Sequence, residues 1–386
     1  MKPYLSYYKK INNIPTVDIN DLRQETLIKQ RFNYYFKIGI TPSELKNKSV
    51  LELCPGTGYN AYYLIKYCKI NKITLVDKNP SSLKTLKKNL SKFNNVKIIN
   101  KDVNHFNTNE KFDYVIIENA MQGILNPQKV FKKLLKFTKL DGIIALSIAD
   151  FYGTFSSKLR YLYAIMLMKQ NNIKVFDERL NFLSKLFYSH LKYLSKNTRR
   201  ADKWVLDNIL HTQWITKTKY FDYLDLNKNL ENKCLIKSFS PYFSKDFVWY
   251  KNMTFKNHNQ HIINNFIGEF INFLDFETQF AKNFKNSENL SFYITKCIRK
   301  ISKFNFDNNL KNKELDEIYN IIFEINKILN KLKPKNKISL ALKEYLEMIN
   351  KFKKNKKLDL KTKYFYKLWS IESHQISLYK TSNKFI

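Results

Sequence analysis

Between Ser49 and Ala149 the chain alternates two kinds of segment, and this alternation limits the fold more than any other feature. The short apolar runs SVLELC, KITLVD, VKIIN, DYVIIEN and GIIALSIA are separated by YNAYYLIKYC, PSSLKTLKKNLSKF and NPQKVFKKLLKFTK, whose apolar residues recur at helical spacing. Strand and helix taking turns predicts a parallel sheet with crossover helices. Strands buried on both faces read as near-continuous apolar runs, as these do. Residues 49–150 are therefore expected to form an α/β domain of the nucleotide-binding type. A helix over 21–40 leads in, with Asp21 as its cap and Gln24 as the capping-box partner.

The first strand ends in VLELCPGTGYN (50–60), where two of the chain's seven glycines fall within three residues. Glycine lets a backbone approach a ligand where a Cβ would collide, and the helix that follows offers free N–H groups. Asp77 ends the second strand roughly 20 residues on, where a carboxylate can accept both hydroxyls of a ribose. Asp102 follows the third strand, placed to meet an adenine amino group, and Glu118 and Asn119 end the fourth. Glu52, Cys54, Gly56, Thr57, Gly58, Asp77, Lys78, Asp102, Val103, Glu118 and Asn119 thus gather at the carboxyl ends of successive strands, where open α/β sheets bind ligands. These residues are the expected cofactor site, for a cofactor that carries adenosine.

Across roughly residues 30–150 this pattern resembles the class I S-adenosylmethionine-dependent methyltransferases. That family's acid-x-Gly-x-Gly-x-Gly corresponds to Glu52-x-Cys54-x-Gly56-x-Gly58, with Cys54 in place of the first glycine. The stretch FDYVIIENAMQGILNPQKVFKKLLKFTKLDGIIALS (112–147) is similar to the family's fourth through fifth strands, including a turn at Asp141-Gly142. The resemblance implies S-adenosyl-L-methionine as cofactor. It implies that Asp77 holds the ribose, that Asp102 and the Val103 backbone hold the adenine, and that Gly56 and Gly58 face the methionine part. ADKWVLDNIL (201–210) and SFSPYFSKDFVWYKNM (238–253) look like a bacterial subgroup with helical extensions, associated with surface-polysaccharide or glycan modification.

Gly56-x-Gly58-x-x-Ala61 also fits the dinucleotide fingerprint, so an NAD-dependent oxidoreductase is an alternative. Glu52 ahead of the turn, the later Asp102 and a sheet-closing strand pair at 234–253 favour the methyl donor.

Beyond Ala149 the rhythm changes. Residues 155–232 read as a mostly helical insertion, CLIKSFSP (234–241) and DFVWYKNM (246–253) as an antiparallel strand pair, and 258–386 as an α-helical extension. The expected organisation is a helical lead-in (1–48), a Rossmann-like methyltransferase domain (49–253) carrying the insertion, and the extension. In that extension Leu315, Ile318, Ile322, Ile325, Leu329 and Leu332 form one stripe at helical spacing, the core face of a bundle. A second helix runs from Ile338 to Phe352.

Lys and Arg number 68 against 33 Asp and Glu, a formal net charge of +35. AT-rich coding inflates lysine but raises glutamate too, so part of the excess points to an anionic partner. The four cysteines are scattered with no C-x-x-C pair, which fits free thiols in a reducing compartment and no structural zinc site. No apolar stretch approaches the ~20 residues that span a bilayer, and MKPYLSYYKKINN lacks a signal-peptide core. A soluble cytoplasmic protein is expected.

Methyl transfer to an alcohol benefits from a general base. His211, with Asp207 one helical turn earlier, is the candidate; His258 and His261 lack a third ligand, so no metal is expected. ENAMQG replaces the Asn/Asp-Pro-Pro-aromatic loop of adenine amino methylation, and no cysteine near the later strand ends offers a C5 nucleophile. The function expected is methylation of a glycan or small metabolite. RNA methylation through the basic extension is the alternative, with KNTRRADKW and the lysines of 351–357 as phosphate contacts.

Overall fold

A computed structural model describes residues 19, 24–124, 126–194, 199–211, 221–230, 233–243, 258–281, 284–307 and 310–382. In chain order the elements are α1 (Gln24–Lys37), α2 (Pro42–Leu45), β1 (Ser49–Leu53), α3 (Tyr59–Tyr67), β2 (Lys72–Asp77), α4 (Pro80–Leu90), β3 (Val96–Asn100), β4 (Phe112–Ile117), α5 (Pro127–Phe137) and β5 (Thr138–Ala149). There follow α6 (Phe155–Gln170), α7 (Phe176–Lys192), α8 (Ala201–Asn208), α9 (Tyr223–Asn229), β6 (Cys234–Ser240), α10 (His258–Glu269), α11 (Phe284–Ile301), α12 (Asn312–Leu332), α13 (Lys337–Lys353) and β7 (Ser373–Lys380).

The strands form a seven-stranded sheet in the order β3-β2-β1-β4-β5-β7-β6. β3, β2, β1, β4 and β5 pair in parallel, while β7 runs antiparallel to both β5 and β6. Every residue of β1 is buried, as a central strand covered on both faces requires. Two Asn-Pro pairs start crossover helices. The Asn79 side chain accepts from Ser81 N and that of Asn126 from Lys129 N, while Pro80 and Pro127 occupy the first helical position, where no N–H is needed.

The chain divides into two compact units. A sheet unit comprises 1–150, 219–266 and 373–386, and a helical unit comprises 151–218 and 267–372. The segments expected as a separate insertion and extension thus fold largely together. α6 is buried on almost every face, so it needs neighbours all round, and α11 from the later segment packs on it. In α12 Leu315, Ile318, Ile322, Ile325 and Leu329 are fully buried as expected, at about 1.5–3 kcal/mol of burial each. α13 covers 337–353, close to the expected second helix.

Two expectations need correction. The chain does not stay helical to its end: Ser373–Lys380 is β7, the strand that joins β5 to β6. Its period-two pattern is short and its partners lie far away in sequence, so local periodicity does not announce it. β6 pairs with β7; the strand expected at 246–253 lies outside the described residues, as does the Asp21 cap. The turn at Asp141-Gly142 is a bulge inside β5, marked by a register shift against β4 and by Asp141 at φ 59°. No helix among the described residues is long and apolar enough to cross a membrane.

Candidate active site

The turn after β1 is held in a left-handed course. Cys54, Gly56 and Gly58 have φ of 58°, 59° and 81°, and the Cys54 N–H donates to Val76 O at 2.8 Å. Gly58 caps α3, and a Cβ there would lie 2.8 Å from Leu86 Cδ2 and 3.2 Å from Leu90 Cδ1. Asn89, on the same helix as those leucines, donates its Nδ2 to Thr57 O at 2.9 Å. A chain sparing with glycine needs it here because both the backbone angle and the α4 side chains exclude a Cβ. Cys54 takes the same kind of φ with a side chain attached. Burial pushes its thiol well up, and Asp77, Asp102 and Glu52 add to the effect, so it stays protonated.

Asp77 closes this turn from the neighbouring strand. Its Oδ2 accepts the Gly56 N–H at 3.3 Å, and its Oδ1 accepts those of Lys78 at 2.7 Å and Asn79 at 2.8 Å. Burial raises its pKa while the three N–H groups oppose the rise. Asp102 accepts from Asn104 N at 2.9 Å and lies 3.5 Å from Lys78 Nζ. Lys133 of α5 secures the loop after β3, donating to Asn104 O at 2.7 Å and Phe106 O at 2.8 Å, with a longer contact to Val103 O at 3.5 Å.

A residue given no role in the sequence reading completes the tip. Arg31 of α1, 4% exposed, holds Glu118 with both terminal nitrogens, at 3.0 and 2.8 Å, and donates to Asn60 Oδ1 at 2.6 Å. Its guanidinium lies 4.3 Å from the ring centre of Tyr34 and 5.3 Å from those of Tyr35 and Tyr59. Burial raises the pKa of Glu52 to about 8; Asn60 opposes the rise, Glu118 adds to it, Arg31 opposes it and Asp77 adds to it. Glu52 is therefore largely protonated at neutral pH.

The model of a family described as a methyltransferase domain matches residues 44–215. Residues 44–215 thus match a methyltransferase domain, in keeping with the class I resemblance of the glycine turn. Malonyl-[acyl-carrier protein] O-methyltransferase 1 of Ilyobacter polytropus is 29% identical over 102 residues, which are 26% of this chain and 38% of that protein. The chain thus spans well under two thirds of that curated relative. Among solved structures, the N-methyltransferase NodS from Bradyrhizobium japonicum in complex with S-adenosyl-L-homocysteine aligns at 15% identity and a TM-score of 0.32, over 39% of this chain and 74% of that one. An S-adenosylmethionine-dependent methyltransferase from Clostridium acetobutylicum aligns at 20% identity and a TM-score of 0.30, over 40% and 58%.

The tip described above fits S-adenosylmethionine, the cofactor that the sequence resemblance implies. Arg31 Nε, Tyr34 Oη, Asn60 Nδ2 and Glu52 Oε2 are buried without a hydrogen-bond partner among the described residues. Asn60 lies near enough to affect the Glu52 carboxyl, yet makes no bond of normal geometry with it. Each unmade bond costs about 1–3 kcal/mol. Three donors and one acceptor match an amino-acid end, with its carboxylate and its ammonium.

Beyond Glu118 the same edge carries a run of neutral polar groups. Asn119, at φ 50°, accepts through Oδ1 from Ser373 Oγ at 2.9 Å, Gln375 Nε2 donates to Ser373 Oγ at 2.9 Å, and Ser147 Oγ donates to Gln375 Oε1. Because β7 is antiparallel to β5, its first residues meet the carboxyl end of β5, with Ser373 opposite Ala149. Asp150 and His374 are fully buried at this edge, and the His374 ring centre lies 5.6 Å from that of Tyr223. These late residues escaped notice because only the unrecognised strand brings them here.

His211 and Asp207 belong to the helical unit. His211 is 1% exposed, and burial pushes its pKa down to about 4. Asp207 is ion-paired with Arg199. His258 Nε2 contacts Ile236 O at 2.9 Å and His261 Nε2 contacts Asn265 Nδ2 at 2.9 Å; no metal-binding cluster occurs among the described residues.

Proposed function

We propose that this chain transfers a methyl group from S-adenosylmethionine to a hydroxyl-bearing small metabolite or glycan, in the cytoplasm. The observation that carries the reading is the set of unsatisfied polar atoms on Arg31, Tyr34, Asn60 and Glu52, buried beside the glycine turn. In this reading Arg31, Tyr34 and Asn60 hold the carboxylate of the cofactor's amino-acid end and Glu52 its ammonium. Asp77, through the lone pairs left on Oδ2, takes the ribose hydroxyls. Asp102 and the Val103 N–H take the adenine, and Gly56, Thr57 and Gly58 let the backbone come close. The acids Asp77, Asp102 and Glu118 favour a cationic sulfonium over the pyrophosphate of a dinucleotide, and Glu52 joins them once a cation displaces its proton.

The bound cofactor supplies an electrophilic methyl group on a good leaving group, so the protein's task is alignment and exclusion of water. Asn119, Ser147, Ser373 and Gln375 offer neutral hydroxyl and amide groups, suited to orienting an acceptor hydroxyl. The Ilyobacter relative is likewise named for methylating oxygen. Within the helical unit His211, neutral at physiological pH, is a candidate acceptor-positioning group; it follows α8, in which Asp207 pairs with Arg199.

Incubation with methyl-labelled cofactor, metabolite and polysaccharide extracts, and total RNA tests the assignment. Label in the small-molecule or glycan fraction is expected. Label confined to RNA would move the acceptor to the nucleic-acid class that the charge of +35 also suits. Tighter binding of NAD than of S-adenosylhomocysteine in a thermal-shift panel would end the methyl-donor reading of the site.

A further inference from the structure

A second cleft lies within the sheet unit, apart from the residues assigned to the donor. It has a volume of about 290 Å³ and lies between α1, α3 and α4, with Gln24, Leu27, Tyr62, Lys88, Asn89 and Lys92 in its wall. This is the lower end of the range for ligand pockets and suits a small molecule. Among the described residues no carboxylate lines it, and neither Lys88 nor Lys92 has an acidic partner. Lys88 lies in the last turn of α4 and Lys92 two residues beyond its end, and both line this cleft, so two like charges are gathered at it. An anion between them would relieve their repulsion. Lys92 Nζ also lies 6.0 Å from the ring centre of Tyr62, which with Leu27 gives the cleft an apolar wall beside its cationic one.

The helices around the cleft also hold the donor tip. α1 carries Arg31. α3 starts at Gly58 and carries Asn60. α4 places Leu86 and Leu90 against Gly58, and its Asn89, itself in the cleft wall, holds Thr57 O. A ligand bridging α1 and α4 therefore bears on both sides of the glycine turn.

We propose that this cleft binds a small phosphate ester, with the phosphate between Lys88 and Lys92 and the organic part against Tyr62 and Leu27, and that its occupancy is linked to donor affinity. Linkage of this kind is reciprocal: the ester would alter S-adenosylhomocysteine binding by the same factor as S-adenosylhomocysteine alters ester binding.

Calorimetry on the full chain with ribose 5-phosphate, and with inorganic phosphate for comparison, tests it. Ribose 5-phosphate should bind more tightly than phosphate. The Lys88→Gln/Lys92→Gln pair should weaken it about tenfold, the scale of a lost charge-assisted contact. Lys174→Gln/Lys185→Gln, which removes the same charge from exposed positions in the helical unit, should leave it unchanged. Absence of binding, or equal weakening in both pairs, overturns the site, the latter by showing attraction to overall charge alone. Equal affinity for the ester and bare phosphate overturns the assignment of Tyr62 and Leu27. Titrating S-adenosylhomocysteine with and without saturating ribose 5-phosphate should show a severalfold difference, and equal affinities overturn the link. The anion is measured without the donor, so failure of the methyltransferase reading would leave the binding result intact.

Discussion

The two halves of the sheet's carboxyl edge are built from opposite materials. From β1 to β4 the edge is acidic, buried and bent into left-handed backbone, with Arg31 clamping Glu118 at 2.8 Å. From β4 to β7 it carries a chain of neutral amides and hydroxyls running from Asn119 through Ser373 and Gln375 to Ser147, with the acid Asp150 fully buried beside it. The first half concentrates negative charge in a strongly basic protein, which favours a cationic group and disfavours phosphate. The second half carries no ionised group in that chain and orients partners by hydrogen bonds alone. On the proposed assignment charge discriminates at the donor end and geometry at the acceptor end, and substitutions in the two halves should move different quantities.

The sharpest division comes from Arg31. Arg31→Leu leaves Glu118 without its bidentate partner and removes the cation from the donor tip. A loss of about 2–3 kcal/mol, near 100-fold in S-adenosylhomocysteine affinity by calorimetry, is expected. Arg31→Lys should recover little, because one ammonium cannot hold Glu118 and Asn60 as the planar fork does. Unchanged affinity in the leucine variant would remove α1 from the donor site.

Next in size is Gly58→Ala. The added Cβ meets Leu86 and Leu90 at a φ of 81°, so about 1–3 kcal/mol of stability should be lost, read as a lower urea midpoint. Donor affinity should fall with it. A midpoint equal to wild type would show that α4 yields freely, and that the glycine answers to the ligand alone.

The two halves also differ in how much of each is legible in the chain. Glu52, Gly56, Gly58, Asp77, Asp102 and Glu118 fall within one run of strand-helix alternation, so period and turn chemistry place them together without any long-range contact. Asp77 meets the turn, as its position at the end of β2 implies. Arg31 looks like one more basic residue in an amphipathic helix, and only its burial beneath Tyr34 and Tyr35 marks it. Asn119 and Ser373 are 254 residues apart, and their hydrogen bond depends on a strand whose alternation, SHQISLYK, is brief. Nonlocal strand pairing leaves almost no local trace. The helical unit is the converse case. The α12 stripe is easy to read, yet nothing periodic reveals that α6 and α11 share one core.

A smaller effect separates protonation from position within the donor half. With its pKa raised from 4.5 to about 8, Glu52 holds its proton more tightly in the folded state than in the unfolded chain. The stability this contributes is complete below about pH 4.5 and is lost as pH rises towards 8. Wild type should therefore lose urea resistance between pH 5 and 8 more steeply than Glu52→Gln. A cationic ligand should expel the proton, so binding at pH 7 in buffers of differing ionisation heat should show proton release that the glutamine variant lacks. Identical release in both would place the ammonium elsewhere.

The smallest expected effect tests the neutral half. Gln375→Leu breaks the links to Ser147 and Ser373 while keeping a side chain of similar size, and Ser373→Ala removes the donor to Asn119. Neither touches an acid of the donor tip, so S-adenosylhomocysteine affinity should stay within twofold of wild type. With the acceptor found in the labelled extracts, kcat/KM should fall about three- to tenfold, the cost of one neutral hydrogen bond at roughly 0.5–1.5 kcal/mol. If these variants weaken the donor and leave the acceptor parameters alone, the boundary at Glu118 is misplaced and the edge is one continuous cofactor surface. The acceptor would then have to be sought away from β7.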